Sequence, residues 1–142
     1  LLVVCGYHQR LVQQLQRISQ TSTMPVQVFG FVQTMHELMA ASDLMVTKAG
    51  GLTVMEALAQ GLPMMFCGTI PGQERENAAY AVQHGAGLMA RRLKDVVKMA
   101  LRLLDEPKRL AAMQETARTL GRPDAADELV ERFLIVPADG TR

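Results

Sequence analysis

The sequence contains no tryptophan, and phenylalanine and tyrosine together make up only 4% of its 142 residues. A platform that stacks nucleic-acid bases, or a sugar groove lined with tryptophan, is therefore not expected. A dominant charge is also missing, because 15 Lys and Arg residues nearly balance 14 Asp and Glu residues. Nucleic-acid-binding surfaces need a clear basic excess, so the net charge of +1 argues against a nucleic-acid partner.

Cysteine is scarce as well: Cys5 and Cys67 lie far apart, each at the end of an apolar run. This predicts two buried free thiols in a reducing compartment, and so a cytoplasmic protein without a disulfide framework. No segment reaches the ~18 consecutive apolar residues of a membrane span, and no secretory signal is visible. Apolar residues still make up 49% of the chain, which is enough to build a folded core.

What the sequence does contain is a regular alternation of short apolar runs and longer segments with helical periodicity. We expect five strands, at residues 1–5, 26–29, 44–47, 62–67 and 88–90. Helices are expected over residues 10–19, 34–41, 52–60 and 74–84, and throughout the chain beyond residue 90. This alternation predicts the α/β class, with a parallel sheet that has helices on both faces. We expect one domain over residues 1–136, cut from a longer protein, and a tail at 137–142.

Two helical patterns carry further predictions. Thr34 followed by Glu37 is typical of a capping box, in which two side chains satisfy backbone N–H groups at a helix start. Beyond residue 90, an apolar stripe is predicted to face the core; its members are Leu93, Val96, Val97, Ala100, Leu101 and Leu104. The opposite side carries a basic row, made of Arg91, Lys94, Lys98 and Arg102. We interpret this row as a solvated face, with docking on anionic lipid as the alternative.

The first candidate site follows the third expected strand, where the chain passes from Lys48 to the paired glycines Gly50 and Gly51. Ligands of α/β sheets bind at the carboxyl ends of strands. The glycines allow the backbone to approach a ligand, and the start of the next helix offers unpaired N–H groups that suit a phosphate. Thr53 adds a hydroxyl to this cluster, and Lys48 adds a charge.

Glu56 lies three residues after Thr53 and four after Leu52, on the same face of the expected helix. Helical side chains lean toward the N-terminus, so this carboxylate can reach a group beside the phosphate. A vicinal diol such as a ribose would suit it. An ordinary strand-to-helix turn with a solvated acid is an equally good interpretation of these residues by themselves.

A second polar cluster follows the fourth expected strand, at Pro71-Gly72-Gln73-Glu74-Arg75-Glu76-Asn77. Gln73, Glu74 and Asn77 offer the mixed donors and acceptors that sugar hydroxyls need. The alternative is a polar helix N-terminus whose acids complement the helix dipole, and this cluster by itself favours that alternative.

Motifs for several other chemistries are absent. The sequence has no Walker A loop, no Gly-x-Gly-x-x-Gly after a strand, and no Asp-x-Asp of the kind that holds a metal in one class of glycosyltransferases. His8, His36 and His84 have no Cys or carboxylate at metal-ligand spacing. We therefore expect no metal site, and any nucleotide chemistry should be metal-independent.

Taken together, several motifs resemble those of a known family. In chain order they are Gly30-Phe31-Val32, Met35-His36-Glu37-Leu38-Met39, Thr47-Lys48-Ala49-Gly50-Gly51-Leu52-Thr53, Glu56-Ala57-Leu58, Gly61-Leu62-Pro63, Ile70-Pro71-Gly72-Gln73-Glu74, Glu76-Asn77-Ala78 and Gly85-Ala86-Gly87. From Val3 to about Leu134, the chain resembles the C-terminal half of monogalactosyldiacylglycerol synthases and bacterial diacylglycerol glucosyltransferases. These are inverting enzymes of glycosyltransferase family 28 with the GT-B fold. The Pro-Gly-Gln-Glu loop favours this branch over the related peptidoglycan lipid-intermediate GlcNAc transferases.

The resemblance implies a Rossmann-like domain that binds UDP-glucose or UDP-galactose as the donor substrate, with no additional cofactor. It also assigns a role to each candidate residue. The uracil would lie against Phe31 and Val32, the diphosphate against Gly50, Gly51, Leu52 and Thr53 beside Lys48, the ribose on Glu56, and the sugar on Gln73 and Glu74 with Asn77 nearby.

The resemblance further implies that parts of the enzyme lie outside this chain. The family's donor half begins one strand earlier, and its N-terminal half holds the diacylglycerol acceptor and the expected catalytic base. We therefore expect no catalytic residue here and no activity from this chain by itself. The full-length protein would be peripheral at the inner face of the membrane. The alternatives are a peptidoglycan lipid-intermediate GlcNAc transferase, a UDP-sugar epimerase, which shares the architecture, and a non-catalytic nucleotide-sugar-binding module.

Overall fold

The computed structural model describes residues 1–68 and 72–133, and the chain divides into two compact units, Leu1–Ala41 and Ser42–Arg142. The described strands are β1 (Leu2–Val4), β2 (Gln27–Phe29), β3 (Met45–Thr47), β4 (Met64–Phe66) and β5 (Gly87–Met89). The described helices are α1 (Gln9–Ser19), α2 (Met35–Ala40), α3 (Gly51–Ala59), α4 (Gln73–Gln83), α5 (Leu93–Leu104), α6 (Pro107–Leu120) and α7 (Ala125–Phe133). None of these helices is long and apolar enough to cross a membrane.

The first unit is built on two parallel strands. β1 pairs with β2, with Val3 opposite Val28, and α1 connects the two strands and packs against β2. His8 caps the start of α1, because its ring Nδ1 accepts a hydrogen bond from the Leu11 backbone N–H at 3.2 Å. A ring nitrogen that accepts a hydrogen bond carries no proton, so this cap requires the His8 tautomer that is protonated at Nε2.

The predicted capping box at the start of α2 is wrong. The Thr34 side chain makes no capping hydrogen bond, and its backbone, at φ −101° and ψ 49°, is not in the extended conformation usual for an N-cap residue. The Glu37 N–H, which the box assigns to the Thr34 hydroxyl, instead donates to the Thr34 backbone carbonyl at 3.0 Å. The backbone turn thus satisfies the donor that the side chain was expected to satisfy.

The second unit is organised around a three-stranded parallel sheet in the order β3-β4-β5. Met65 of the central strand lies opposite Val46 on one side and Leu88 on the other. All three residues of β4, Met64, Met65 and Phe66, are fully buried. A strand buried on both faces must be apolar at every position, which explains why this segment shows no alternation of polar and apolar residues.

Helices α3 and α4 follow β3 and β4 and pack against each other. Their buried faces are built mostly from small or β-branched residues, namely Val54, Ala57 and Leu58 of α3 and Ala78 and Ala81 of α4. Small residues allow two helices to approach closely. α3 ends before Gly61, whose φ of +67° is a conformation that glycine adopts without strain.

Helix α5 packs on the core through only part of its predicted apolar stripe. Val96 and Leu103 are buried, but four residues of the predicted core stripe are exposed: Leu93, Val97, Leu101 and Leu104. Val96 belongs to a buried core cluster whose other members are Met65 and Ala90. The apolar residues of α5 cover so wide an arc that one edge of it meets the core while the other faces outward.

Helix α6 approaches α3 closely at the residue that follows it, Gly121. A Cβ atom at this position would collide with the carbonyl oxygen of Leu58 and lie 2.8 Å from the Cα atom of Ala59. Backbone atoms cannot move aside as a flexible side chain can, so the close approach requires glycine.

The junction between α5 and α6 is held by charged side chains. The half-buried carboxylate of Glu106 accepts hydrogen bonds of 3.0 Å from Arg109 Nη1 and from Arg102 Nε. These bonds, that of Arg109 first, lower the pKa of Glu106 below its ordinary value of 4.5.

The predicted α/β class is confirmed, and every predicted strand is found. The first four are shorter than their apolar runs, and β5 keeps the expected length but begins one residue earlier, at Gly87. The strands form two separate sheets, β1-β2 and β3-β4-β5, where one sheet was expected. Cys5 and Cys67 are free thiols, as predicted, but each is half-buried because it follows the last paired residue of its strand. The predicted tail at 137–142 lies outside the described residues.

Candidate functional site

The turn between β3 and α3 presents a helix start that no side chain caps. β3 ends at Thr47, and α3 begins at Gly51 after the extended residue Gly50, at φ −62° and ψ 138°. Among the described residues, no acceptor meets the backbone N–H groups of Gly51, Leu52 and Thr53. Uncapped N–H groups carry the positive end of the helix dipole, so this turn is suited to an anion.

The side chains around this turn leave the helix start open. A Cβ atom built on Gly50 would lie 3.8 Å from Thr53 Oγ1, which places the Thr53 hydroxyl beside the last residue of the turn before α3. A Cβ atom on Gly51 would lie 3.6 Å from Asn77 Nδ2 and would meet no other atom more closely. Gly51 and Leu52 are exposed, whereas Ala49 beneath them is fully buried and anchors the turn to the core.

Helix α4 begins in a similar way. Gly72 precedes it at φ 101° and ψ −137°, a conformation that essentially only glycine adopts, and no side chain caps the helix. The first residues of α4 are the predicted sugar ligands Gln73, which is exposed, and Glu74, which is half-buried. Pro71, which the sequence places in the same loop, lies outside the described residues.

Two contacts join the predicted clusters into one. Asn77 Nδ2 of α4 donates a hydrogen bond of 3.0 Å to the carbonyl of Ala49, in the turn before α3. Lys48 Nζ lies 3.9 Å from Glu74 Oε1. The structure therefore brings the phosphate candidates after β3 next to the sugar candidates at the start of α4, which sequence spacing could not show.

Glu56 lies on α3 one turn after the helix start, and its side chain is exposed. The spacing of three and four residues from Thr53 and Leu52 puts all three on neighbouring positions of the helix surface.

Lys48, at the turn before α3, is mostly exposed, with 61% of its side chain accessible. Its ion pair with Glu74 is therefore weak and can exchange for a bound anion.

The first unit carries the two predicted base-binding residues, Phe31 and Val32, which lie two and three residues after the end of β2. Phe31 is exposed and Val32 is half-buried. The ring of Phe31 stacks on Tyr7, with centroids 4.5 Å apart and planes 9° from parallel. Sequence reasoning missed Tyr7, although it follows β1 as Phe31 follows β2, and the carboxyl ends of paired parallel strands share one sheet edge.

Among residues 1–68 and 72–133, no group of three His, Cys, Asp or Glu side chains is placed to hold a metal ion.

Comparison with known protein families decides where this domain belongs. Residues 1–129 match the glycosyltransferase family 28 C-terminal domain. The chain belongs to this family. The family 28 domain is also 35% identical, over 133 residues, to proteins named processive diacylglycerol beta-glucosyltransferase from Bacillus thuringiensis (strain Al Hakam) and Bacillus cereus (strain AH820). The match covers 94% of this chain and 34% of each relative, so the chain spans about a third of their length.

Solved structures with the same fold are GT-B glycosyltransferases. MurG of Acinetobacter baumannii superposes on 96% of the family 28 domain with a TM-score of 0.77 and 23% identity, covering 42% of its own chain. The spinosyn forosaminyltransferase SpnP superposes on 92% of it with a TM-score of 0.59 and 20% identity, again covering 42% of that chain. At these identities the likeness confirms the Rossmann-like, GT-B type of fold predicted from the sequence.

Proposed function

We propose that this family 28 domain binds the UDP-sugar donor of a hexosyltransferase that transfers glucose or galactose to diacylglycerol. The names of the 35%-identical relatives support this choice of acceptor and reaction. The matched region is a third of those relatives, so the complete reaction belongs to a longer protein in which this domain is the donor-binding part.

The observation that carries the proposal is the uncapped start of α3 beside the first turn of α4. A diphosphate bears two or more negative charges and needs several donors at once. The N–H groups of Gly51, Leu52 and Thr53, the Thr53 hydroxyl and the Lys48 ammonium supply such donors within one turn. This set fits a diphosphate better than a neutral ligand, because every group in it is a donor or a cation.

The ribose, the hexose and the uracil of the donor are each assigned to other residues. Glu56, exposed on α3, is proposed to accept hydrogen bonds from the ribose hydroxyls. Gln73 and Glu74 are proposed to hold the hexose, assisted by the side-chain oxygen of Asn77, whose Nδ2 donates a hydrogen bond to the carbonyl of Ala49. In the first unit, Phe31 and the backbone of Val32 are proposed to receive the uracil.

The proposed chemistry is an inverting transfer that uses no metal ion. A glycerol hydroxyl oxygen attacks the anomeric carbon, and the bond from that carbon to the β-phosphate oxygen breaks. The hydroxyl proton passes to a base in the N-terminal half, and UDP leaves with the bonding electron pair. The α3 N–H groups and Lys48 stabilise the charge that develops on the leaving diphosphate. The chain by itself therefore binds donor without turning it over, and the full-length enzyme acts as a peripheral protein on the cytoplasmic membrane face.

Product analysis tests the proposal directly. The full-length protein is incubated with diacylglycerol and UDP-[¹⁴C]glucose or UDP-[¹⁴C]galactose, and lipid-soluble label is measured. Formation of a labelled glycolipid, with one sugar preferred, is the expected result. An epimerised sugar nucleotide would identify an epimerase, and transfer to a peptidoglycan lipid intermediate would identify the GlcNAc transferase branch. Binding of UDP without any product would leave a nucleotide-sugar-binding module.

A further inference from the structure

Helix α5 exposes a row of aliphatic side chains that the core does not use. Leu93, Val97 and Leu101 follow one another at intervals of four residues, and Leu104 completes the row one turn later. Their exposed fractions are 77%, 64%, 58% and 49%. We call these four residues the α5 face. Because α5 has 12 residues, the row extends over most of a helix about 18 Å long.

A basic row lies about 100° around the helix from the α5 face, beside this face rather than opposite to it as the sequence pattern predicts. Each basic residue directly follows an aliphatic residue of the α5 face in the sequence, so the two rows run in parallel along the helix. The pairs are Leu93 with Lys94, Val97 with Lys98, and Leu101 with Arg102. Arg102 is paired with Glu106 at 3.0 Å. Within the described part of the chain, Lys94 and Lys98 have no acidic partner, and both are exposed.

The positive charge of the chain is concentrated in this segment. Residues 91–102 contain five basic residues and one acidic residue, which leaves 10 basic and 13 acidic residues in the remainder. The single acid, Asp95, is already bonded to Arg92 at 3.0 Å. A chain that is nearly neutral overall is therefore strongly basic along one side of α5 and mildly acidic elsewhere.

We infer that the α5 face is a docking surface for an anionic lipid bilayer. Exposed aliphatic side chains beside unpaired lysines are typical of helices that lie in the plane of a membrane interface. The aliphatic row enters the boundary of the acyl chains, while the lysine stems lie along it and carry their ammonium groups to the lipid phosphates. This assignment rests on α5 alone and does not depend on the donor or acceptor proposed above.

Charge complementarity selects this occupant over others. A nucleic acid would pair with the basic row but would leave the aliphatic row in water. A second copy of the chain would bring Lys94 and Lys98 near the same residues of its partner, where like charges repel. An anionic bilayer satisfies both rows at once, because its interior is apolar and its surface is negative.

Vesicle binding by the 142-residue chain, without UDP-sugar or diacylglycerol, tests the inference. Sedimentation is measured with vesicles of equal parts phosphatidylglycerol and phosphatidylcholine, and with phosphatidylcholine alone. The chain should bind the anionic vesicles at least about tenfold more tightly, and salt should weaken this binding. Lys94→Glu/Lys98→Glu should reduce it at least about 25-fold, since each lysine near an anionic surface contributes about fivefold.

Matched variants separate the α5 face from general charge and hydrophobicity. Arg10→Glu/Arg17→Glu, on α1, changes the net charge by the same amount and should leave binding within about threefold of the native chain. Leu101→Gln should reduce binding, while Ile18→Gln, whose side chain is similarly exposed at 55% against 58%, should not. Circular dichroism melting of each variant shows that it remains folded.

Three results would overturn the inference. The native chain could fail to bind anionic vesicles, or bind neutral ones equally well. The α5 variants could bind as tightly as the native chain, which would move the lipid contact elsewhere. Sedimentation equilibrium could show a dimer that Leu101→Gln dissociates, which would make the α5 face a contact between copies of the chain.

Discussion

A side chain introduced at Gly51 provides the sharpest test of the proposed diphosphate site. The variant is Gly51→Val, with Gly51→Ala as an intermediate step. Gly51 is the first residue of α3, is exposed, and does not have a positive φ. A Cβ atom there would lie 3.6 Å from Asn77 Nδ2, which is an ordinary contact, so the fold can accept the added atom. The added atoms would instead cover the helix start that a diphosphate must approach.

The expected size of the effect follows from the hydrogen bonds that are blocked. A hydrogen bond to a charged group contributes about 1.5–3 kcal/mol. Losing one backbone N–H bond to the diphosphate should therefore weaken UDP binding roughly 10- to 150-fold, with alanine at the lower end. Stability should not fall, because glycine is a poorer helix former than either alanine or valine.

Isothermal titration calorimetry with UDP measures the affinity, and thermal melting measures the stability. Both are carried out on the 142-residue chain and on the full-length protein. Ala125→Val is the matched control, since Ala125 is the first residue of α7 and receives the same side chain at an equivalent helix position. A folded Gly51→Val variant that binds UDP as tightly as the native protein would refute the reasoning.

Four further predictions test other residues. Glu56→Ala should weaken UDP binding by on the order of 1.5–3 kcal/mol through the lost ribose contacts. Calorimetry with a 2′,3′-dideoxy nucleotide should show a smaller loss, and equal losses would contradict the ribose role. Gln73→Ala and Glu74→Ala should leave UDP affinity nearly unchanged while turnover of the full-length enzyme falls sharply, because a misplaced sugar loses rate even when the nucleotide is anchored. Normal turnover with a lower melting temperature would show a structural role instead. Gly121→Ala should lower the free energy of unfolding by about 1–3 kcal/mol through its collision with α3, as urea denaturation would measure, and an unchanged midpoint would disprove the close approach. At pH values above 4.5, the ordinary carboxyl pKa, Glu106→Gln should melt at a lower temperature than the native chain. This difference in melting temperature should vanish as the pH falls through the lowered pKa of Glu106, because the native carboxylate is then protonated. A difference that persists in acid would show that the arginine bonds are not its cause.

The order of strands and helices could be predicted because each apolar run and each helical period is a local property of the sequence. The helix expected at residues 52–60, for example, agrees with α3 at Gly51–Ala59 to within one residue at each end. Strand pairing is not local, which is why the division into two sheets was not foreseen. The same limit applies to α5, where periodicity identifies an amphipathic helix but not which part of a wide apolar arc meets the core.

The candidate site was predictable one cluster at a time. Lys48 and the paired glycines were noticed because they separate a strand from a helix, and Gln73 with Glu74 because they begin another. The contact between Asn77 and Ala49, which joins the two clusters, spans 28 residues of sequence, and no spacing rule relates them. The stack of Tyr7 on Phe31 was missed for the same reason, since it depends on the register of two strands.

The two methionines of β4 determine how the protein responds to oxidation by peroxide. These residues, Met64 and Met65, have no exposed surface, so a peroxide can reach their sulfur atoms only when the second unit opens. Met24 and Met55 are 55% and 53% exposed and can be oxidised in the folded chain. The exposed methionines are therefore oxidised fast and the two buried ones slowly. The oxidation rate of the buried pair depends on how often the second unit opens. Each opening that ends in oxidation places a polar sulfoxide in the core, which makes the next opening easier.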